Sequence, residues 1–173
     1  MIAFRHADPR QPFFWEDALQ PAGRWHAAGD GPAQYLANSP DAAWAEFLRH
    51  EEIRDPSDLA TVRRALWAIE IDSQPVATPD LPGSVMTGGL ASYVACQREA
   101  RRLRRAGGIR LEAPSAALSE DVPWVVRGGL RRSPARVPRT LVFFGVPALE
   151  GWRCVAEGRP HEDLLKRVRP LER

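Results

Sequence analysis

Residues 23–50 read GRWHAAGDGPAQYLANSPDAAWAEFLRH. Gly23, Gly29, Gly31 and Pro32 break any long element at the front of this stretch. Ala33 to Ala37 reads as a short strand. Ser39-Pro40 then predicts a helix entry, with serine as N-cap and proline at the first helical position. Asp41 favours the positive end of that helix dipole. The helix is expected to run to about His50, with Trp44, Phe47 and Leu48 as its apolar face.

Outward from this block the elements are short. Met1 to Phe4 reads as an opening strand that ends in Arg5 and His6, and Pro12 to Leu19 as a helical turn. Arg64 to Ile71 alternates as a strand does. Ser73 to Gly83 holds three prolines and reads as a loop. Leu90 to Ala106 predicts a helix with Tyr93, Cys96, Ala100 and Leu103 on one face and Arg98, Arg101, Arg102 and Arg105 on the other. Gly107-Gly108 ends it. Ile109 to Leu111, Trp124 to Val126, Leu141 to Val146 and Trp152 to Ala156 read as strands, and Glu162 to Val168 as a closing helix. No regular strand–helix–strand alternation runs through the chain, so an α+β fold is expected rather than a doubly wound parallel sheet.

The chain has 173 residues and a mass of 19.3 kDa, which fits one domain over 1–173. Apolar residues make up 44% and charged residues 27%, a balance that excludes wholesale disorder. The 24 basic and 22 acidic side chains nearly cancel, which argues against a nucleic-acid coat. Lys166 is the single lysine; the other basic residues are arginines, suited to planar anion recognition. Cys96 and Cys154 fit neither a metal spacing nor a disulfide framework and point to a reducing compartment. The start of the chain lacks an apolar signal core, and no run of about 18 apolar residues occurs. A cytoplasmic protein that neither enters a membrane nor binds nucleic acid directly is therefore expected. P-loop, GxGxxG, HExxH, CxxC and GxSxG motifs are all missing, so no metal site is expected.

A few polar residues remain as candidates for chemistry. Glu46 lies off the apolar edge of its helix beside Ala42 and Ala43, which leave room for a ligand; its ordinary reading is a solvated partner of Arg49 or His50. Arg24 follows a glycine in a loop, where its fork can reach a phosphate or carboxylate; its ordinary reading is a surface arginine. Tyr35 on the strand reads equally as a half-buried core tyrosine, and Ser115 as a turn serine. Arg24, Tyr35 and Glu46 recur at intervals of eleven residues, on a loop, a strand and a capped helix.

In this arrangement the sequence resembles the RES domain family, named for its arginine, glutamate and serine. The 23–50 block resembles the family's GRW loop, tyrosine strand and alanine-rich helix bearing one glutamate. Arg5 in AFRHADP resembles the family's opening arginine, and Ser115 in GIRLEAPSAAL its serine. The resemblance covers roughly residues 3 to 145, with sharp motifs at 23–50 and 107–118. His26 departs from the asparagine common after GRW.

The resemblance implies an ADP-ribosyltransferase-like fold, a split pair of small antiparallel sheets with flanking helices. It implies a toxin of a bacterial toxin–antitoxin pair that takes NAD as substrate and cleaves its nicotinamide–ribose bond, by hydrolysis or phosphorolysis. It further implies a cognate antitoxin, often with a helix-turn-helix DNA-binding part. Arg5, Arg24, Tyr35 and Ser115 would bind the dinucleotide; Arg24, Tyr35 and Glu46 would carry catalysis. Two other functions stay open at this point: a mono-ADP-ribosyltransferase using the same pocket, and a nucleic-acid-binding or RNA-targeting toxin using the arginine face of residues 98–105.

Overall fold

The computed structural model describes residues 1–10, 14, 17, 19–118 and 137–172. The expected strand at Trp124 to Val126 and most of the expected turn at Pro12 to Leu19 lie outside them. Among the described residues, six strands form one antiparallel sheet: β1 (Ile2–Ala7), β2 (Ala33–Ala37), β3 (Arg64–Ile71), β4 (Arg110–Pro114), β5 (Arg139–Phe144) and β6 (Leu149–Gly158), in the order β4-β5-β2-β1-β3-β6. Helices α1 (Pro40–His50), α2 (Pro56–Leu59), α3 (Gly83–Thr87) and α4 (Tyr93–Arg105) flank it, as an α+β fold requires.

The sheet is split in its middle. β1 pairs with β3 continuously from Ile2–Glu70 to Ala7–Ala65, but β1 and β2 share a single registered pair, Phe4 with Ala37. Two three-stranded halves, β4-β5-β2 and β1-β3-β6, are thus joined at one point. The split matters because main-chain groups that leave a ladder make room between strands.

Helix α1 forms where its signals predict. Ser39 Oγ accepts from the Ala42 N–H at 3.2 Å, Pro40 opens the helix, Asp41 sits in the first turn, and Arg49 and His50 in the last. Ala42, Ala43 and Ala45 let the helix press closely on Phe4, Leu66 and Ala68 of the sheet, with Trp44, Phe47 and Leu48 filling the interface. Helix α4 packs Cys96, Ala100 and Leu103 against Leu111 and Val142 of the other half. Its arginines 98, 101, 102 and 105 are all exposed.

Several boundaries move for tertiary reasons. Glu112–Pro114, expected as loop, extend β4 because they pair with Leu141–Arg139 of β5. Strand β5 ends two residues before the expected Val146, because Gly145 turns the chain at a φ of 96°. Residues 90–92 form a 3₁₀ turn before α4, and Glu162–Arg167 is 3₁₀ rather than α-helix.

Candidate active site

A cleft of about 540 Å³ opens where the two half-sheets part. Its volume is that of a cofactor-sized site. Arg5 and His6 of β1, Tyr35 of β2, Glu46 of α1 and Arg24 of the preceding loop all line it. Four of the five residues singled out in the sequence therefore share one wall-to-wall cavity. Ser115 lies behind that surface, 2% exposed.

Glu46 is the central acid. Ser115 Oγ donates to its Oε1 at 2.8 Å and Thr140 Oγ1 donates to the same oxygen at 3.1 Å. The Ser115 hydroxyl in turn accepts from the N–H groups of Ala117 (3.2 Å) and Leu118 (3.3 Å), which leaves its own proton for Glu46. Among the described residues Oε2 has no hydrogen-bond partner. The alternative reading of Glu46 as a solvated partner of Arg49 or His50 is not what forms; the carboxylate is held from β5 and from the turn after β4.

Arg24 is 7% exposed and points across the cleft wall. Its guanidinium donates to Ser92 Oγ (2.8 Å) and to the carbonyls of Gly88 (2.6 Å) and Val85 (3.4 Å), and it stacks 4.7 Å from the Tyr93 ring centroid. Arg49 also donates to the Gly88 carbonyl, at 3.2 Å, and to that of Ala116. Neither arginine forms an ion pair within 4 Å among the described residues, though the Glu46 charge bears on Arg49.

Tyr35 turns out to hold the Gly23–His26 turn. Its hydroxyl accepts from the Trp25 N–H at 2.9 Å and lies 2.9 Å from His26 Nδ1. His26 Nε2 is 2.8 Å from the Pro21 carbonyl, which can only accept. Nε2 therefore carries the proton, Nδ1 is the acceptor, and the Tyr35 hydroxyl donates to it. Burial lowers the His26 pKa and favours this neutral ring; burial likewise raises the Tyr35 phenol well above its usual range. A Cβ at Gly23 would meet the Tyr35 hydroxyl and the His26 ring, so glycine is required there. His26, the departure from the family pattern, is thus a structural member of this turn. Tyr35→Phe should lower the melting temperature by several degrees, because it strands a main-chain N–H and an imidazole nitrogen. A melt within one degree of the parent would contradict that assignment.

His6 packs beside Trp44 and Phe47, parallel to the first at 6.4 Å between ring centroids and tilted against the second at 4.8 Å. Burial first, then the charges of Arg64, Arg5 and His50, bring its pKa down to about 3. The unfolded chain protonates this histidine near 6.5, before the folded chain does. Its contribution to stability is full above about 6.5 and fades as pH falls toward 3. Between pH 7 and pH 4 the parent should therefore lose more melting temperature than His6→Gln; equal losses would contradict this.

The sequence reading missed Arg49, Thr140 and the C-terminal segment. Arg49 sits three residues after Glu46 on one helix face, a spacing that could have flagged it. Thr140 reaches the site only through strand pairing, so nothing local marks it. The segment after residue 167 crosses the back of the site: Arg169 N–H donates to the Ala117 carbonyl and Leu90 N–H to the Glu172 carbonyl, both at 2.8 Å, while Leu171 lines the cleft. Of the arginines at 98, 101, 102 and 105 on α4, Arg101 pairs with Asp30 and Arg102 with Glu99, which reduces that face as a nucleic-acid surface. Among the described residues no group of three or more His, Cys, Asp or Glu converges, and no helix is long and apolar enough to cross a membrane.

The family model described as RES domain matches residues 2–156. Among solved structures, the chain is similar to one in the M. tuberculosis MbcT–MbcA toxin–antitoxin complex, with a TM-score of 0.61 and 14% identity, over 88% of this chain and 82% of that one. No curated protein matches the sequence.

Proposed function

Because the chain belongs to the RES domain family, we propose that it is the toxin of a toxin–antitoxin pair and cleaves the nicotinamide–ribose bond of NAD in the cytoplasm. The observation that carries this reading is Glu46, a carboxylate clamped at one oxygen by Ser115 and Thr140 inside an arginine-lined cleft. Loss of nicotinamide takes the bonding pair with the leaving ring and leaves an oxocarbenium-like ribose. A fixed anion beside that carbon stabilises the charge as it develops, with little reorganisation. Glu46 has this role, through the oxygen that its two hydroxyl donors leave open.

The other residues bind and position. Arg5 and Arg24 supply positive charge for the diphosphate. The Tyr35 ring offers a face to the cationic nicotinamide, while its hydroxyl holds the loop that carries Arg24. Ser115 acts through Glu46 rather than on the dinucleotide itself. Residues 1–173 work as one unit, since Leu171 and Thr140 reach the same cleft as Arg5. The cleft's openness to solvent suits water or phosphate as the acceptor. The similarity to a chain of a toxin–antitoxin complex supports a cognate antitoxin; that this partner blocks the cleft and carries a helix-turn-helix part is proposed from the family resemblance.

The purified chain should consume NAD and the antitoxin-bound chain should not. Added phosphate that converts the product from ADP-ribose to its phosphorylated form assigns phosphorolysis, and a labelled protein band from lysate assigns transfer to protein. An isolated, folded chain that leaves NAD intact would overturn the reading.

A further inference from the structure

Residues 168–172 follow the 3₁₀ turn Glu162–Arg167, whose Leu164 is buried in the core with α1. They lie past residue 156, where the match to the RES domain model ends. Along this short stretch the chain fastens to two walls of the cleft in turn.

The first is the turn after β4. Val168 bridges to Leu118. The Arg169 N–H donates to the Ala117 carbonyl at 2.8 Å, and the Arg169 guanidinium donates to the Ser115 carbonyl at 3.4 Å. Arg49 takes the carbonyl between them, that of Ala116. All three carbonyls of the turn are thus held from outside it. The Ser115 hydroxyl points the other way, accepting from the Ala117 and Leu118 N–H groups and donating to Glu46. A chain of contacts therefore runs from Arg169 through Ser115 to the acid.

The second wall is Gly88–Leu90. The Leu90 N–H donates to the Glu172 carbonyl at 2.8 Å. A Cβ at Gly89 would collide with that carbonyl, so the close approach requires glycine. The neighbouring Gly88 carbonyl accepts from both Arg24 and Arg49. Arg49 thus braces the two walls from one side, through Ala116 and Gly88, and residues 168–172 brace the same two walls from the other.

We propose that residues 168–172 are a clasp that positions the active site, with Arg169 as the positioning residue for the Ser115–Glu46 pair. Arg169 acts through the orientation of Ser115, and a reacting group misplaced by about 1 Å can lose up to about 10²-fold in rate. The proposal rests on the NAD reading for the reaction that is measured; the contacts stand without it.

Steady-state NAD cleavage and amide hydrogen exchange on the full chain test it together. Arg169→Ala keeps the N–H and loses the guanidinium, whereas Arg169→Pro loses both donors. The kcat should fall about threefold in the first and about tenfold in the second, at nearly unchanged KM. Arg169→Lys, with one donor still able to reach a carbonyl, should recover part of the loss. In Arg169→Ala and Arg169→Pro the Ala117 and Leu118 N–H groups should exchange about tenfold faster, while those of α4 exchange as in the parent. Gly89→Ala should speed exchange at Leu90 by displacing Glu172. Arg98→Gln, on the exposed face of α4, should leave both readouts at parent values. Faster exchange throughout the chain, or parent-like kcat in a folded Arg169→Pro, overturns the clasp; if that variant does not fold, Arg169→Ala is judged by the same readouts. A parent chain that leaves NAD intact sinks the NAD reading alone. Local quickening at Ala117 and Leu118 then keeps the clasp, and parent-like exchange there overturns it.

Discussion

Glu46→Gln is expected to lower kcat for NAD cleavage by about 10²–10³-fold and to leave the melting temperature nearly where it was. The contrast follows from the geometry. Ser115 and Thr140 both donate to Oε1, and an amide oxygen accepts those hydrogen bonds as a carboxylate oxygen does. What glutamine removes is the negative charge facing the cleft. A binding role for Glu46 alone would show as a raised KM at unchanged kcat. A parent-like kcat in the folded variant would contradict the electrostatic role. Ser115→Ala should fall between the two, since Thr140 still holds the acid.

Arg24→Ala is the second large effect, and it has two parts. The substitution removes one donor each from the Val85 and Gly88 carbonyls and the Ser92 hydroxyl, and removes the cation stacked on Tyr93. Hydrogen bonds from a charged donor are worth about 1.5–3 kcal/mol each, so the melting temperature should fall by roughly 10 °C. NAD affinity should fall as well, through lost charge and through a loosened 85–92 wall. Arg24→Lys separates these parts. It keeps the charge and cannot reach three acceptors at once, so it should recover NAD binding better than stability. Parent-like stability in Arg24→Ala would remove Arg24 from the wall.

Much of this was legible in the chain. Ser39-Pro40-Asp41 fixed the start of α1 because capping is a local interaction, and β2 and β3 have the bounds that their side-chain pattern predicts. Arg24 and Glu46 were found because a loop arginine and a helix glutamate at regular spacing around a strand resemble the motif of the RES family. Their partners were not legible. Thr140 and the Gly88 carbonyl reach the site through tertiary contacts 94 and 64 residues away in sequence. Tyr35 was read for its ring, while its hydroxyl is committed to Trp25 and His26, a partnership that only the folded turn creates. Ser115 was read as a contact to substrate, and the fold gives it the carboxylate of Glu46 as its acceptor.

The central claim is that NAD lies in the cleft between the half-sheets with its scissile carbon at Glu46. A crystal structure of the Glu46→Gln chain soaked with NAD tests this most directly. The account predicts the nicotinamide ribose beside residue 46 and the diphosphate among the cleft arginines. Dinucleotide bound outside the cleft, or with its ribose on the far side from residue 46, would contradict it.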